Sequence, residues 1–178
     1  MKKFTLFDLV LFTMYGALMF VFDLAFEMLP NIHGVALIIC VITLIYRSRA
    51  LISIAIYVSL NAIIAVASSI NALWWVPYIY IFPILWIFIM LIPKGLSLKV
   101  KVILCAIASG VHGLIFGTLY SPFQAIMFGL DINGMLAWIV AGLPWDLVHC
   151  LGNIAMCTLI YPLYKVLVKL EESREKRK

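Results

Sequence analysis

Charged residues are scarce in this chain of 178 residues. Only 12% are Asp, Glu, Lys or Arg, whereas 66% are apolar, and the mean hydropathy is +1.15. A soluble domain of this size is nearer half apolar and a quarter charged. The polar surface is too small to cover a water-exposed globule, which excludes a soluble enzyme, a nucleic-acid binder and a secreted disulfide scaffold. We therefore expect a single all-α integral membrane domain over residues 1–178.

The motifs of catalysis and of ATP binding are missing as well. The sequence contains no GxxxxGK[ST] phosphate loop, no HExxH and no GxSxG. Its three histidines lie in separate segments without metal-ligand spacing, and its four cysteines fall in apolar stretches without a pairing pattern. The sequence gives no support for an enzyme, and we expect no metal and no cofactor in this chain.

Basic residues are absent from long stretches of the chain. The thirteen Lys and Arg occupy four clusters, which are residues 2–3, 47–49, 94–101 and 165–178. Basic loops stay on the cytoplasmic side, and each apolar stretch between clusters is long enough to cross a bilayer twice. This alternation predicts six transmembrane helices with both termini in the cytoplasm.

The predicted spans can be bounded approximately. They cover residues 7–29, 33–46, 50–67, 74–92, 100–120 and 136–168. Residues 121–135 mix Pro, Gly, Asp and Asn with large apolar side chains, so we expect an external loop or a short helix at the outer surface. Residues 169–178 are expected to form a solvated cytoplasmic tail.

Polar groups at membrane depth are candidate functional residues because they are costly there unless paired or hydrated. Asp23 and Glu27 share one face of the first span near its external end. This pair is interpreted either as part of a ligand site or as a helix end in contact with water. Asp146, His149 and Asn153 share one stripe of the last span. This stripe favours either a ligand cavity or a structural Asp–His pair. His112, which has glycines beside it, is interpreted as a packing residue.

Aromatic residues gather at the predicted external end. Tyr and Trp concentrate at membrane interfaces in any case, but here they adjoin polar side chains, as a pocket for a small heterocycle requires. The candidate substrate-binding residues in these external segments are Asn31, His33, Asn71, Trp74, Trp75, Tyr78, Tyr120, Phe123, Gln124 and Trp138.

The external half contains acidic residues but no Lys or Arg. A carboxylate-bearing compound normally needs a cationic partner. We therefore expect a neutral or cationic heterocycle, such as a pyrimidine, pyridine, purine or riboflavin-like ring. It would stack on Trp74, Trp75 or Trp138, and Asp146 or Glu27 would accept its hydrogen bonds.

Six short spans, a length near 180 residues, no ATPase motif and polar, aromatic external segments resemble the S component of an energy-coupling factor (ECF) vitamin transporter. The segment 141–153, AGLPWDLVHCLGN, also resembles the last-helix signature of several S components. The resemblance implies a high-affinity micronutrient-binding subunit in a prokaryotic plasma membrane. It further implies association with a membrane T subunit and two cytoplasmic ATPases, which use the ATP.

The resemblance also implies a docking surface for the T subunit on the first span. S components often carry an Ala-xxx-Ala pair there, and this chain has no such pair in residues 15–21. Gly16 and Ala17 are the candidates for a flat docking patch instead.

Two other classes stay open from the residues alone. A self-sufficient proton-coupled carrier could use Asp23, Asp146 and the histidines as a proton path, although the sequence lacks the internal repeat of many such carriers. In a membrane scaffold, the same buried polar groups would only lock helices together.

Overall fold

The computed structural model describes residues 4–29, 32–68 and 73–176. In these ranges every regular element is helical and none is a strand, so the all-α prediction is confirmed. Two short 3-10 turns, Arg47–Arg49 and Cys157–Leu159, each connect two α-helices. The α-helices are α1 (Leu6–Ala25), α2 (Val35–Tyr46), α3 (Ala50–Ser68), α4 (Tyr78–Met90), α5 (Leu98–Leu114), α6 (Phe116–Phe128), α7 (Ile132–Met156) and α8 (Ile160–Glu175).

Four helical stretches within the described ranges are long and apolar enough to cross a membrane. They are Leu6–Ala25, Val35–Ser68, Leu98–Phe128 and Ile132–Glu175. The helix α4 is also apolar but has only 13 residues, fewer than the roughly 20 that a crossing needs. The chain is therefore a membrane protein by the length and composition of its helices. The count of six spans and the cytoplasmic position of the termini stay predictions.

The first and third helices run in the same direction. Asp8 near the start of α1 lies 3.5 Å from Arg49, just before α3. Further along, Tyr57 of α3 reaches Asp23, near the end of α1. Gly16, between these two contacts, packs directly on α3: a Cβ added to it would collide with Ile56.

The helix α2 runs in the opposite direction to α1. His33, which precedes α2, lies beside Asp23, whereas Tyr46 at its end contacts Tyr15 through their hydroxyls. Nine of the twelve residues of α2, residues 35–43, are buried. A helix that is apolar on all sides belongs in the centre of a bundle, and α2 forms that centre, with α1, α4 and α8 packed around it.

The start of α1 and the end of α8 meet. Arg174 lies 3.7 Å from the buried carboxylate of Asp8 and 2.8 Å from Glu171, which also accepts a hydrogen bond from Tyr46. We call this the Asp8 end of the bundle and the opposite one the Asp23 end. The helix α8 continues to Glu175. Most of its last residues are exposed, while Glu171 and Arg174 contact the bundle, and the cytoplasmic position of the stretch 169–178 stays a prediction.

Residues 121–135, expected to form an external loop or a short helix, are helical over most of their length. The helix α6 continues through Pro122 to Phe128 and is ended by Gly129, which adopts the left-handed conformation with φ 63°. Asp131 then begins α7 by accepting the backbone N–H of Gly134. The connection between α6 and α7 is therefore only residues 129–131, because Gly129 ends one helix and Asp131 starts the next.

Candidate ligand-binding site

A small polar cavity of about 100 Å³ lies inside the bundle toward the Asp23 end. Every helix from α1 to α7, together with the segment before α2, contributes to its wall. The cavity contains the side chains of all three histidines of the chain. It is lined by Asp23, His33, Val35, Ala36, Tyr57, Tyr78, Phe82, His112, Phe116 and His149.

Asp23 is the anionic centre of this cavity. The hydroxyl of Tyr57 donates a 2.7 Å hydrogen bond to its Oδ2. Its Oδ1 lies 3.0 Å from Nδ1 of His33, a contact at ion-pair distance in which the ring N–H is not aligned for a hydrogen bond. The carboxylate therefore faces a phenol and an imidazole, and no Lys or Arg of the described ranges lines the cavity.

Two of the three histidines pack against Phe116, and the third packs against one of these two. The ring of Phe116 lies 4.8 Å from His149 and 6.0 Å from His112, centroid to centroid. His149 in turn lies 5.6 Å from His33. The imidazole of His112 is fixed by a 2.9 Å contact between its Nε2 and the carbonyl oxygen of Ile81 on α4.

Aromatic rings form a wall beside Asp23. The ring of Tyr57 is stacked on that of Tyr78, at 6.2 Å with an interplanar angle of 11°. Phe82 packs edge-on against both rings, at 5.2 Å and 4.9 Å. Flat faces next to a carboxylate suit a planar ligand that carries hydrogen-bond donors.

A wider pocket of about 390 Å³ adjoins the cavity. The two share Asp23, His33 and Tyr78, so a molecule bound at Asp23 can extend from one into the other. The size of this outer pocket falls in the range of roughly 300–1,000 Å³ that is typical of small-molecule sites. Its other lining residues are Phe20, Leu24, Glu27, Leu29, Asn61, Ile64 and Trp74.

A third pocket, of about 190 Å³, is mainly aromatic and lies on the other side of Trp74. Tyr120 donates a 2.6 Å hydrogen bond to the backbone carbonyl of Trp74, and Trp138 is stacked on Tyr120 at 6.2 Å. This contact ties α6 to the segment before α4. The pocket is lined by Leu73, Trp74, Tyr120, Phe123, Gln124, Met127 and Phe128.

The structure thus distributes the predicted site residues over neighbouring pockets. Asp23, His33, Tyr78 and His149 meet in the cavity, and Glu27 and Trp74 line the outer pocket beside it. The aromatic pocket takes Tyr120, Phe123 and Gln124, with Trp138 stacked on its rim. Asn31 and Asn71 lie outside the described residues.

Asp146 is not in the wall of the cavity. Its carboxylate accepts the backbone N–H of Gly117, at 3.0 Å and 3.2 Å, at the beginning of α6. A carboxylate at a helix N-terminus is favourable because it meets unpaired N–H groups and the positive end of the helix dipole. Asp146 therefore joins α7 to α6 and does not pair with His149, which shares its stripe.

Three further candidates have packing roles. Asn153 is buried and donates a hydrogen bond to the carbonyl of Ser109, which connects α7 to α5. Trp75 packs against the core and lines an apolar groove between α3 and α4. Gly16 is buried against α3 and so does not lie on an open face. The docking role of Ala17, which is half-buried, stays a prediction.

Sequence reasoning did not single out Tyr57, Phe82 or Phe116, and it assigned His112 to packing. One signal for Tyr57 was available, since a tyrosine in the middle of an apolar span needs a partner for its hydroxyl. Asn61 belongs to the same group: it is buried, donates to the carbonyl of Tyr57 and lines the outer pocket.

The cavity suits an organic molecule better than a metal ion. Over the described residues, no group of three or more His, Cys, Asp or Glu side chains is arranged to hold a metal. The cavity offers one carboxylate, imidazoles and phenols around flat rings, and this set can accept and donate hydrogen bonds to a small polar ring. No protein-family model, no curated protein and no solved structure matches the chain.

Proposed function

We propose that this chain is the substrate-binding subunit of an ECF-type importer. It binds a small neutral or cationic heterocycle, a vitamin or vitamin precursor, at the Asp23 end of the bundle. It then delivers this cargo by association with a membrane T subunit and two cytoplasmic ATPases. The observation that carries the proposal is the ring-lined cavity that encloses Asp23 without any Lys or Arg.

The charge of the cavity supports this class of cargo. Asp23 accepts one hydrogen bond from Tyr57, and its remaining lone pairs face His33 and the cavity. An anionic ligand would meet like charge in a poorly solvated space, which is unfavourable. A neutral ring with N–H groups, or a cationic one, would instead be stabilised by the carboxylate.

The position of the cavity supports a receptor that is open at one end. The outer pocket continues from Asp23 and Tyr78 toward Glu27 and Trp74, near the end of α1. At the Asp8 end, by contrast, the carboxylate of Asp8 is already paired with Arg49 and Arg174.

A self-sufficient proton-coupled carrier is the alternative. It would require ionisable groups spaced across the bundle. On α1, however, Asp8 and Asp23 are 15 residues apart, about 22 Å at 1.5 Å per residue, with no acidic residue between them. This gap favours a receptor that depends on partners for energy.

Uptake in proteoliposomes separates the two functions. The chain alone is expected to bind cargo without concentrating it, and uptake is expected only when the T and ATPase subunits and ATP are present. Asp23→Asn is expected to abolish uptake in the full complex. Asp131→Asn makes the same chemical change at an exposed helix cap and should leave uptake intact. Concentration of cargo by the chain alone, driven by a proton gradient, would establish the carrier.

A further inference from the structure

The hydrogen-bond pattern of His112 fixes which of its nitrogens carries the proton. The side chain is 1% exposed, and Nε2 lies 2.9 Å from the carbonyl oxygen of Ile81. A carbonyl oxygen only accepts hydrogen bonds, so Nε2 must hold the hydrogen. In the neutral ring Nδ1 is then an acceptor. This atom is buried and has no hydrogen-bond partner among the described residues.

His149 carries a second unpartnered nitrogen in the same cavity. The side chain is 6% exposed, and its Nδ1 is buried without a hydrogen-bond partner in the described part of the chain. No hydrogen bond from a residue within 4–29, 32–68 or 73–176 fixes the tautomer of this ring, so Nδ1 can accept or donate. The rings of His112 and His149 both pack against Phe116, and all three line the cavity.

Buried polar atoms without partners are rare in native proteins, because each loses its bonds to water and gains nothing in return. Three such atoms lie on the wall of this cavity, and only Nδ1 of His33 has a charged neighbour, Asp23. The other two, on His112 and His149, indicate that a polar occupant completes their bonding. The occupant must supply a donor to His112, since the Nδ1 of this ring can only accept. At His149 a donor or an acceptor is equally suitable.

The size of the cavity limits what can occupy it. A cavity of about 150 Å³ in another protein holds one benzene ring, and the cavity here measures about 100 Å³. The cavity can therefore enclose no more than one six-membered ring with a small polar group, and any larger substituent has to lie in the adjoining outer pocket. Tyr78 and Phe82 supply flat surfaces for such a ring.

We propose that His112 selects a ligand whose ring carries an amino group, as in an aminopyrimidine or aminopyridine. The amino N–H donates to Nδ1 of His112, and a ring nitrogen or second N–H bonds to Nδ1 of His149. The inference rests on the proposed function, from which it takes a small organic nutrient as the occupant.

The direct test compares two probes that differ in one group. 4-Aminopyrimidine and 4-methylpyrimidine have similar shapes, but only the first can donate to His112. Their affinities are measured on the purified full-length chain in lipid nanodiscs, by calorimetry or tryptophan fluorescence. We expect the amino compound to bind about tenfold more tightly or better, the size of effect expected for one buried hydrogen bond. Equal affinities, or no binding of either probe, would overturn the inference.

Two substitutions assign the preference to His112. His112→Phe keeps a flat ring but removes the acceptor and should abolish the preference for the amino probe. His112→Asn places an amide oxygen near the position of Nδ1 and should retain part of it. If a folded His112→Phe protein keeps the full preference, His112 is not the selecting residue. If that variant does not fold, the comparison of probes on the unmodified chain still decides the ligand class.

These binding measurements are independent of transport. A chain that prefers the amino probe but does not need T and ATPase subunits for uptake would contradict the proposed function and leave this inference standing. Uptake that depends on the partners, combined with equal affinity for the two probes, would support the proposed function and contradict this inference.

Discussion

Tyr57 on α3 donates a 2.7 Å hydrogen bond to the carboxylate of Asp23 on α1. This contact joins two helices that run side by side in the same direction, and it holds the carboxylate toward the cavity. The ring of Tyr57 also packs against Tyr78 and Phe82. One residue therefore links the packing of the bundle to the orientation of the only acidic group in the cavity wall.

Removing the hydroxyl of Tyr57 should lower the affinity for ligand more than it lowers the stability of the folded protein. Tyr57→Phe keeps the packed ring but deprives Asp23 of its donor, so the carboxylate is less well oriented. We expect a loss of affinity for 4-aminopyrimidine of about tenfold, as for a hydrogen bond to a charged group. Binding is measured by tryptophan fluorescence, and the melting temperature is measured in the same detergent.

The matched control for this substitution is Tyr164→Phe, on α8. It makes the same chemical change on a helix that contributes nothing to the cavity wall. Affinity should not change in this variant. If both substitutions had the same effect, or if Tyr57→Phe had none, the bond to Asp23 would not orient the carboxylate for binding.

Asp146 should matter for stability and much less for binding. Asp146→Ala removes the interhelical cap on Gly117 and leaves a backbone N–H without its acceptor. The expected cost is about 1–2 kcal/mol of unfolding free energy. Asp146→Asn keeps an acceptor and should cost less. Thermal unfolding and probe binding are measured on both variants; loss of binding in a folded Asp146→Ala protein would restore a ligand role for this residue.

Gly117 should tolerate no side chain, because α6 begins directly against Asp146. A Cβ at this position would lie 2.6 Å from a carboxylate oxygen, whereas a Cβ at Gly142 on α7 would meet nothing within 4 Å. We expect Gly117→Ala to destabilise the protein. Gly142→Ala should be neutral or stabilise it by up to about 1 kcal/mol, since Ala favours a helix over Gly. Equal melting temperatures for the two variants would contradict the close approach.

Asp8 should hold the end of α8 on the bundle. Its buried carboxylate faces Arg49 and Arg174, and Thr5 caps α1 against it. Asp8→Asn removes the charge that both arginines share, so α8 should detach at its end. Limited trypsin digestion is expected to cut after Lys169 and Arg174 faster in this variant.

Asp131→Asn provides the control for the digestion, because it makes the same change at a helix cap in the connection between α6 and α7. The rate of cleavage in α8 should be unchanged in this protein. Unchanged cleavage in Asp8→Asn as well would mean that apolar packing alone holds α8.

Composition and long apolar stretches were sufficient to predict a helical membrane protein, because an apolar run of roughly 20 residues can cross a bilayer as a helix that satisfies its own backbone. Local boundaries were harder to predict. The caps at Gly129 and Asp131 are short-range signals, and Pro122 with the surrounding Gly and Asn suggested a loop. The helix α6 nevertheless continues through Pro122 to Phe128 and ends at Gly129.

The site was predicted in part. Asp23 and His149 were recognised as polar groups at membrane depth and His33 as a residue of the external segments, and all three line one cavity. Tyr57 and His112 were not recognised as site residues. Their helices are apolar on most faces, so the sequence shows no polar–apolar pattern that would indicate which faces point into the bundle. For the same reason, the spacing of Asp146 and His149 suggested that both residues lie in the same site. The structure directs Asp146 to α6 and His149 to the cavity.

The central claim is that the cavity around Asp23 binds a small ring without a negative charge. Mass spectrometry of compounds that copurify with the chain from native membranes tests it most directly. The unmodified chain should carry a neutral or cationic heterocycle, and a folded Asp23→Asn protein should lose it while Asp131→Asn keeps it. The same compound at equal occupancy in Asp23→Asn, or an anionic compound bound to the unmodified chain, would contradict the claim.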